Sequence, residues 1–456
     1  MPVSRARAIA FETLRRVEEQ GAYASDVLHA ELDERVKAED AALATEIALG
    51  VLRWRALLDF LLERQLKKPV ARLDLPVTLA LRMGLYQLRF LERVPARAAV
   101  NESVELVKRA RKTSAASLVN AVLRRLGEGS AREDVAKLLP PGRSRPEQLA
   151  ILYSHPAWLV ERWLARRGEA QTIELLKADN EAPPLSCAVH DAAHFEEIKG
   201  ALEKSGLRVE PGRLLKSALT VSGGSPARTA AFAKGWISIQ DEASQAIPLL
   251  LDVRAGDRVL DLCAAPGGKT AALARAAGET GLVVAADRHA HRLRAMSAQL
   301  ERLQLKNVAL VELDAEKPLP FGAKFDRILV DAPCSGTGTL ARHPEIRWRL
   351  RPEQLGDLQR QQIAILRAAA AQLAPGGRLV YSTCSLEAEE NENVVEAVLR
   401  DTTSLRRLPA EEAAVALAPH LAAGDEPRSL FDAHGQFRTV PDMHSTDGFF
   451  AAVLQL

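Results

Sequence analysis

The sequence predicts a multidomain chain. Residues 1–138 read as an all-α domain, 150–240 as a small α/β module, and 241–456 as an α/β domain on a mostly parallel sheet. Three observations carry this reading. Apolar residues recur at helical spacing through the first part, where β-rich runs are absent. A proline- and glycine-rich stretch, Leu139-Pro140-Pro141-Gly142-Arg143-Ser144-Arg145-Pro146, breaks the chain. From Asp241 on, short apolar runs alternate with helical stretches, the pattern of an open Rossmann-like sheet with helices on both faces.

In the first part Ala10, Leu14 and Val17 mark a helix that starts near Ser4 and stops at Gly21. Leu118, Val119, Val122, Leu123 and Leu126 form another apolar stripe, ending at Gly127. Arg124 and Arg125 sit in its last turn, where cations complement the helix dipole. Past the linker, 150–178 reads as helical. Strands are expected at 185–189, 219–222 and 236–239, with a helix at 195–205. The last part offers five apolar strands, at 259–262, 283–286, 309–312, 328–330 and 378–382.

Composition excludes several classes. The chain has 456 residues, 47% hydrophobic and 26% charged, an ordinary globular balance. No apolar run reaches the ~18 residues of a membrane span, so no membrane partner is expected. The first residues carry basic side chains but no apolar core, and Glu12, Glu18 and Glu19 follow, which argues against a leader peptide. Four cysteines, none paired as C-x-x-C, suggest a reducing cytoplasm and no metal site. Net charge is only +2, but residues 51–125 hold 16 Lys/Arg against 6 Asp/Glu. Such an excess points to a polyanion or to a solvated helical face.

The stretch Leu260-Asp261-Leu262-Cys263-Ala264-Ala265-Pro266-Gly267-Gly268-Lys269-Thr270 ends like a triphosphate-binding loop. That loop needs a glycine where this chain has Cys263, and Pro266 removes an N–H donor inside it. What remains is a strand, a small-residue turn and a helix, the first unit of a nucleotide-binding sheet. The second strand ends in Asp287, 19 residues after Gly268, where an acid can hold ribose hydroxyls. The third ends in Asp314. With no G-x-G-x-x-G and no arginine cluster beside the loop, a nucleoside without phosphates fits better than a dinucleotide. S-adenosyl-L-methionine has ribose hydroxyls, an adenine amine and a sulfonium that tolerates acidic surroundings.

Strand four runs into Asp331-Ala332-Pro333-Cys334-Ser335-Gly336-Thr337-Gly338, and strand five into Thr383-Cys384-Ser385. In the usual strand order these are neighbours, so Cys334 and Cys384 would face one crevice. Cys187 and Cys263 read as small core residues. Thiols suit methylation of a pyrimidine C5, a poor nucleophile: a thiolate adding to C6 makes C5 reactive. A helix expected over 387–399 would lower the Cys384 pKa by its dipole, while Glu387, Glu389 and Glu390 would oppose this.

These three motifs, with His343-Pro344-Glu345-Ile346-Arg347-Trp348 and Thr446-Asp447-Gly448-Phe449-Phe450, resemble those of the RNA cytosine-5 methyltransferases, in that family's order. Asn101-Glu102-Ser103-Val104-Glu105-Leu106-Val107-Lys108 and Val119-Asn120-Ala121-Val122-Leu123-Arg124-Arg125 resemble the RNA-binding domain of the antitermination factor NusB. The combination is similar to the bacterial small-subunit ribosomal RNA branch of the family. The resemblance implies 5-methylcytosine formation in 16S ribosomal RNA, naked or in a partly assembled subunit, with S-adenosyl-L-methionine as donor. It implies Cys384 as nucleophile and Cys334 as the group assisting release. Cys263, Ala264, Ala265, Pro266, Gly267, Gly268, Lys269, Asp287, Asp314 and Asp331 would hold the donor, although Asp331 is close enough to the chemistry to contact the target cytosine instead. In the DNA enzymes the nucleophile follows a proline on the fourth strand, as Cys334 does; the RNA family's Thr-Cys on the fifth strand is the closer match. The competing reading is a non-catalytic RNA-binding assembly factor with a methyltransferase-like fold.

Overall fold

The computed structural model describes residues 3–32, 35–127, 133–422, 424 and 426–456. The chain forms two compact units. The first comprises Met1–Ala182 with Leu340–Arg349, and the second Pro183–Thr339 with Leu350–Leu456.

The first unit is helical among its described residues. Its opening helix, Arg5–Gln20, buries Ala6, Ala10, Leu14 and Val17 on one face. Gly21 ends it in the left-handed region at φ 67. Ser4 stands at the N-cap position, but its hydroxyl donates to Glu102 Oε2 at 2.7 Å instead of capping. Helix Leu75–Phe90 is buried from Val77 to Gln87 and forms the centre of the unit. The expected last stripe is the helix Ala116–Leu126, followed by Gly127. Helices Arg145–Leu152 and Ala157–Ala178, which the sequence reading grouped largely with the α/β module, fall in this unit.

Leu340–Arg349 also belongs here, although it lies far along the chain. Its anchor is Arg347, fully buried. The guanidinium donates to Ser154 O (3.1 Å), Asn180 Oδ1 (2.9 Å), Asp179 O (2.9 Å) and Leu340 O (3.3 Å). Burial lowers its pKa to about 10. Around it Glu345 Oε1 accepts from Ala24 N (3.0 Å), Trp348 Nε1 donates to Leu52 O (2.7 Å), and Arg53 Nη2 donates to Ala341 O (2.8 Å).

The second unit holds two sheets. The smaller joins β1 (Leu185–Val189), β2 (Arg208–Pro211), β3 (Ala218–Ser222) and β4 (Ile237–Ile239) in the order β2-β3-β1-β4, all antiparallel. β2 was not expected: it is a largely exposed edge with no apolar alternation. The larger sheet contains β5 (Arg258–Leu262), β6 (Leu282–Asp287), β7 (Val308–Glu312), β8 (Phe325–Asp331), β9 (Leu373–Thr383), β10 (Arg406–Arg407), β11 (Phe437–Thr439) and β12 (Phe449–Gln455). Its order is β10-β12-β9-β8-β5-β6-β7, with β11 on β12. The five expected strands are parallel; β12 is antiparallel to β9.

Residues alternate between two cores, as side chains on successive strand positions must. Val259, Val283, Leu329, Val380 and Val453 meet helices Glu242–Leu249, Gly268–Ala277 and Ala410–Leu417. Leu260, Val284, Ile328, Leu379 and Phe450 meet Pro352–Ala370 and Glu392–Asp401. The chain winds one way from β5 to β7 and the other way from β8 to β9. The switch between β5 and β8 is where such sheets open a crevice.

Arg347→Ala is expected to destabilise the first unit by about 3 kcal/mol or more, since it strands buried carbonyls that cost ~1–3 kcal/mol each. Urea unfolding with hydrogen exchange over 154–180 reads this; an unchanged midpoint would refute it.

Candidate active site

The turn after β5 is shaped by backbone. Cys263 has a positive φ of 62 and Gly267 a φ of 100. A Cβ at Gly267 would lie 2.8 Å from Met296 Cγ, so both conformation and space require glycine there. Ala264 N donates to Ala286 O at 2.9 Å, tying the turn to the end of β6. Helix Gly268–Ala277 then starts, and Gln240, just past β4, lies against Gly268.

The turn separates two pockets that share Cys263. The first, about 550 Å³, is lined by Asp287, Asp314, Arg288, Arg292 and Pro333 among others. Asp287 is buried and accepts from Ala265 N (3.3 Å) and His289 N (3.0 Å). Asp314 accepts from Glu316 N at 3.2 Å. The sequence reading saw no arginine cluster beside the loop. The structure corrects this: the helix Ala290–Arg302 and the residue after β6 bring in Arg292 and Arg288. Each is spoken for, Arg292 by Asp287 (3.1 Å) and Arg288 by Glu316 (3.1 Å), so the pocket still lacks an unpaired cation for phosphate.

The second pocket, about 540 Å³, is lined by Ala264, Ala265, Pro266, Gly268, Lys269, Asp331, Asp261 and Gln240 among others. Gly267 lines neither pocket and acts through the shape of the turn. Lys269 Nζ donates to Asp331 Oδ2 at 2.7 Å and lies 5.0 Å from the Phe449 ring centre. Burial works against the ammonium, but the Asp331 carboxylate outweighs it and raises the pKa of Lys269. Ser382 Oγ donates to the other Asp331 oxygen at 2.8 Å. Asp331, which the sequence reading left between donor and target cytosine, lines this pocket and not the one with Asp287 and Asp314.

The two chemical turns do meet. β8 and β9 pair in parallel with Asp331 opposite Ser382, so the residues beyond them lie side by side. The Cys334 and Cys384 sulfurs are 3.3 Å apart, both partly exposed and unbridged. The hydrogen bond between the sulfurs, then burial, raises the Cys334 pKa well above the usual thiol value. Cys384 O accepts from Gly338 N (2.9 Å), and Gly338 O accepts from Gly448 N (2.7 Å). A Cβ at Gly338 would stand 2.1 Å from Gly448 O, so three chain segments close up only around a glycine. Cys187 is the core residue expected, its thiol pushed up to about 12 by burial. Cys263 is not: it borders both pockets.

The helix expected directly after Cys384 begins only at Glu392, behind a 3-10 turn at Ala388–Glu390. Its dipole therefore does not act on Cys384, because such effects fade within a turn. Asn391 explains the break: its φ/ψ of −111/−101 is non-helical, while its amide donates to Ser385 O (2.8 Å) and accepts from Thr383 Oγ1 (2.5 Å). Sequence reasoning also gave no role to Gln362, whose Nε2 donates to Pro333 O at 2.9 Å, or to Gln240. Neither carries a local signal, because both reach the site from other elements.

Residues 248–455 match the family model for 16S rRNA methyltransferases RsmB/F, 4–128 the NusB family, and 155–228 the ferredoxin-like domain of RsmF/B-like methyltransferases. The chain is 33% identical over 449 residues to the probable ribosomal RNA small subunit methyltransferase B of Bacillus subtilis, covering 97% of each. It is 33% identical to that of Synechocystis, covering 99% of each. A methyltransferase homologue from Pyrococcus horikoshii superposes with a TM-score of 0.57 at 29% identity, covering 70% of this chain and 99% of that one.

Burial lifts the Asp261 carboxyl to about 7, against help from Thr270 Oγ1, which donates to Oδ2 at 2.5 Å. The folded protein then holds a proton that the unfolded chain loses near pH 4 (about 3.9 for a free Asp). Stability should fall as pH rises from about 4 to about 7 and level off above. Asp261→Asn removes this fall, so its Tm should gain on wild type between those limits; a constant Tm difference would refute the assignment.

Proposed function

The chain belongs to the RsmB/F family of 16S ribosomal RNA methyltransferases, and we propose that it moves a methyl group from S-adenosyl-L-methionine to C5 of a cytosine through a covalent Cys384–C6 adduct. That it is a ribosomal RNA methyltransferase follows from the family. The finer reading rests chiefly on two sulfurs 3.3 Å apart at adjacent strand ends, where the hydrogen bond to Cys384 and burial raise the Cys334 pKa. The match of Thr383-Cys384 to the RNA family's fifth-strand motif gives attack to Cys384, which leaves proton transfer to Cys334.

The first pocket suits the donor. It offers carboxylate acceptors for hydroxyls and an amine, no unpaired cation for a phosphate, and acids compatible with a sulfonium. When bound there, S-adenosyl-L-methionine supplies an electrophilic methyl. Asp287 and Asp314 would hold its nucleoside, and the Cys263–Gly268 turn would carry it to the switch point. The second pocket suits the base. Asp331 and Lys269 form a donor–acceptor pair beside Phe449 that can read a cytosine edge. Lys269 is also within electrostatic reach of Cys384.

In this reading the Cys384 sulfur adds to C6 and electrons move to C5, which takes the methyl. Water takes the C5 proton, the C5–C6 double bond re-forms as the C6–S bond breaks, and the departing Cys384 sulfur takes a proton from Cys334, which solvent restores. Cys384→Ala should abolish both methyl transfer to 16S RNA and a denaturation-resistant RNA adduct. Cys334→Ala should accumulate the adduct. If Cys334→Ala is the variant without adduct, the two roles are exchanged. If wild type binds RNA but transfers nothing, the assembly-factor reading replaces this one.

The basic excess of 51–125 divides in the structure. Arg53, Arg55 and Arg82 are partly or wholly buried braces. Lys67, Lys68, Arg72, Arg93, Arg97, Arg109, Arg111, Arg124 and Arg125 are exposed. Arg97 and Arg124 flank a groove of about 610 Å³ with Asn101 and Leu123. We assign this surface to the RNA backbone. Arg97→Ala with Arg124→Ala should lower the slope of log affinity against log salt by about 1.4, or ~0.7 per lost phosphate contact on single-stranded RNA; an unchanged slope would place the RNA elsewhere.

A further inference from the structure

Glu390 is a carboxylate in an unusual place. It lies on the 3-10 turn Ala388–Glu390 and is fully buried. No Lys or Arg pairs with it among the described residues. Four donors surround it instead. Oε1 accepts from Ser335 N (2.7 Å) and Gln362 Nε2 (3.0 Å). Oε2 accepts from the hydroxyls of Ser335 and Ser385, the latter at 2.5 Å. Its own main-chain oxygen accepts from Tyr381 OH at 2.6 Å. Ser335 and Ser385 are the residues directly after Cys334 and Cys384, and their hydroxyls are 3.0 Å apart.

We propose that Glu390 is the positioning residue of the cysteine pair: one buried carboxylate clamps the turn after each cysteine, and so sets both the separation of the sulfurs and their division of labour. The assignment of roles rests on the covalent mechanism proposed above. Burial raises the Glu390 pKa above the usual carboxylate value, while the hydrogen bonds from Ser335, Ser385 and Gln362 work the other way and favour its charged form. A buried negative charge beside Cys334 opposes a second one on that sulfur, and Glu390 contributes in this sense to the retention of the Cys334 proton. The other titratable groups facing Cys334 are Cys384 and Tyr381, both on or just after β9. The clamp thus does two things with one group. Geometrically it adds a side-chain tie directly after each cysteine to the main-chain bond that already joins the two loops, from Gly338 N to Cys384 O at 2.9 Å. Electrostatically it disfavours a thiolate at Cys334.

Alkylation separates these roles from a merely structural one. In full-length protein carrying Cys384→Ala, Cys334 is treated with iodoacetamide near pH 8 and followed by mass spectrometry. Adding Glu390→Gln, which keeps the volume but removes the charge, should speed Cys334 alkylation about tenfold, the effect of one pKa unit. An unchanged or slower rate, in a protein whose melting temperature matches its parent, would overturn the proposal. With both cysteines present, Glu390→Gln should lower kcat at least tenfold while KM for RNA and the Kd for S-adenosyl-L-methionine hold. If KM, Kd and melting temperature move together with kcat, Glu390 is only structural. Ser335→Ala with Ser385→Ala keeps the charge and loosens the clamp. It should lower kcat without speeding Cys334 alkylation, and faster alkylation there would overturn the electrostatic half. If wild type transfers no methyl to RNA, the functional reading falls, yet the alkylation comparison still decides the role of Glu390.

Discussion

The structure depends first on the parallel pairing of β8 with β9. Asp331 stands opposite Ser382, and from that register the two turns beyond must run side by side. A slip of one residue would turn Ile328, Val330, Leu379 and Tyr381 out of one core and into the other. The apolar alternation that builds the sheet therefore also fixes where the sulfurs meet. Core packing and chemistry are set by one constraint, and neither can drift without the other.

Much of this was legible. The five parallel strands are short apolar runs, each ending in an acid or a small-residue turn, and that contrast is local. The meeting of Cys334 and Cys384 followed from strand order. Other features were not legible because they depend on distant partners. β2 is an edge strand with little to bury. β12 is a continuous apolar run, and nothing in it says that it inserts antiparallel beside β9. Glu387, Glu389 and Glu390 looked alike in sequence. Only folding shows that Glu390 turns inward to a cage of donors. The helix start was misplaced for a related reason: acids favour helix N-termini, but the side chain of Asn391 held the backbone out of helix until Glu392.

The two units also differ in how charge is used. In the second, buried carboxylates such as Asp261, Asp287 and Glu390 stand at strand ends and turns, held by hydroxyls and backbone N–H groups. In the first, Arg347 is a buried cation held largely by carbonyl oxygens. Glu390 and Arg347 each set a buried ionisable group among dipoles, which fixes geometry more strictly than an ion pair of flexible side chains.

The far-separated ends of both units carry a consequence for how the protein is made. The helical unit takes in Leu340–Arg349, and Gly338 is closed against Cys384 by Gly448. A chain emerging from the ribosome can fold its early helices first. It cannot finish them until residue 349 has left the exit tunnel, nor seal the thiol crevice until residue 448 has followed. The first unit waits on residue 349 and the crevice on residue 448, so each closes on a segment distant in sequence. A polypeptide released before residue 448 lacks the backbone contact at Gly338, and its crevice stays open.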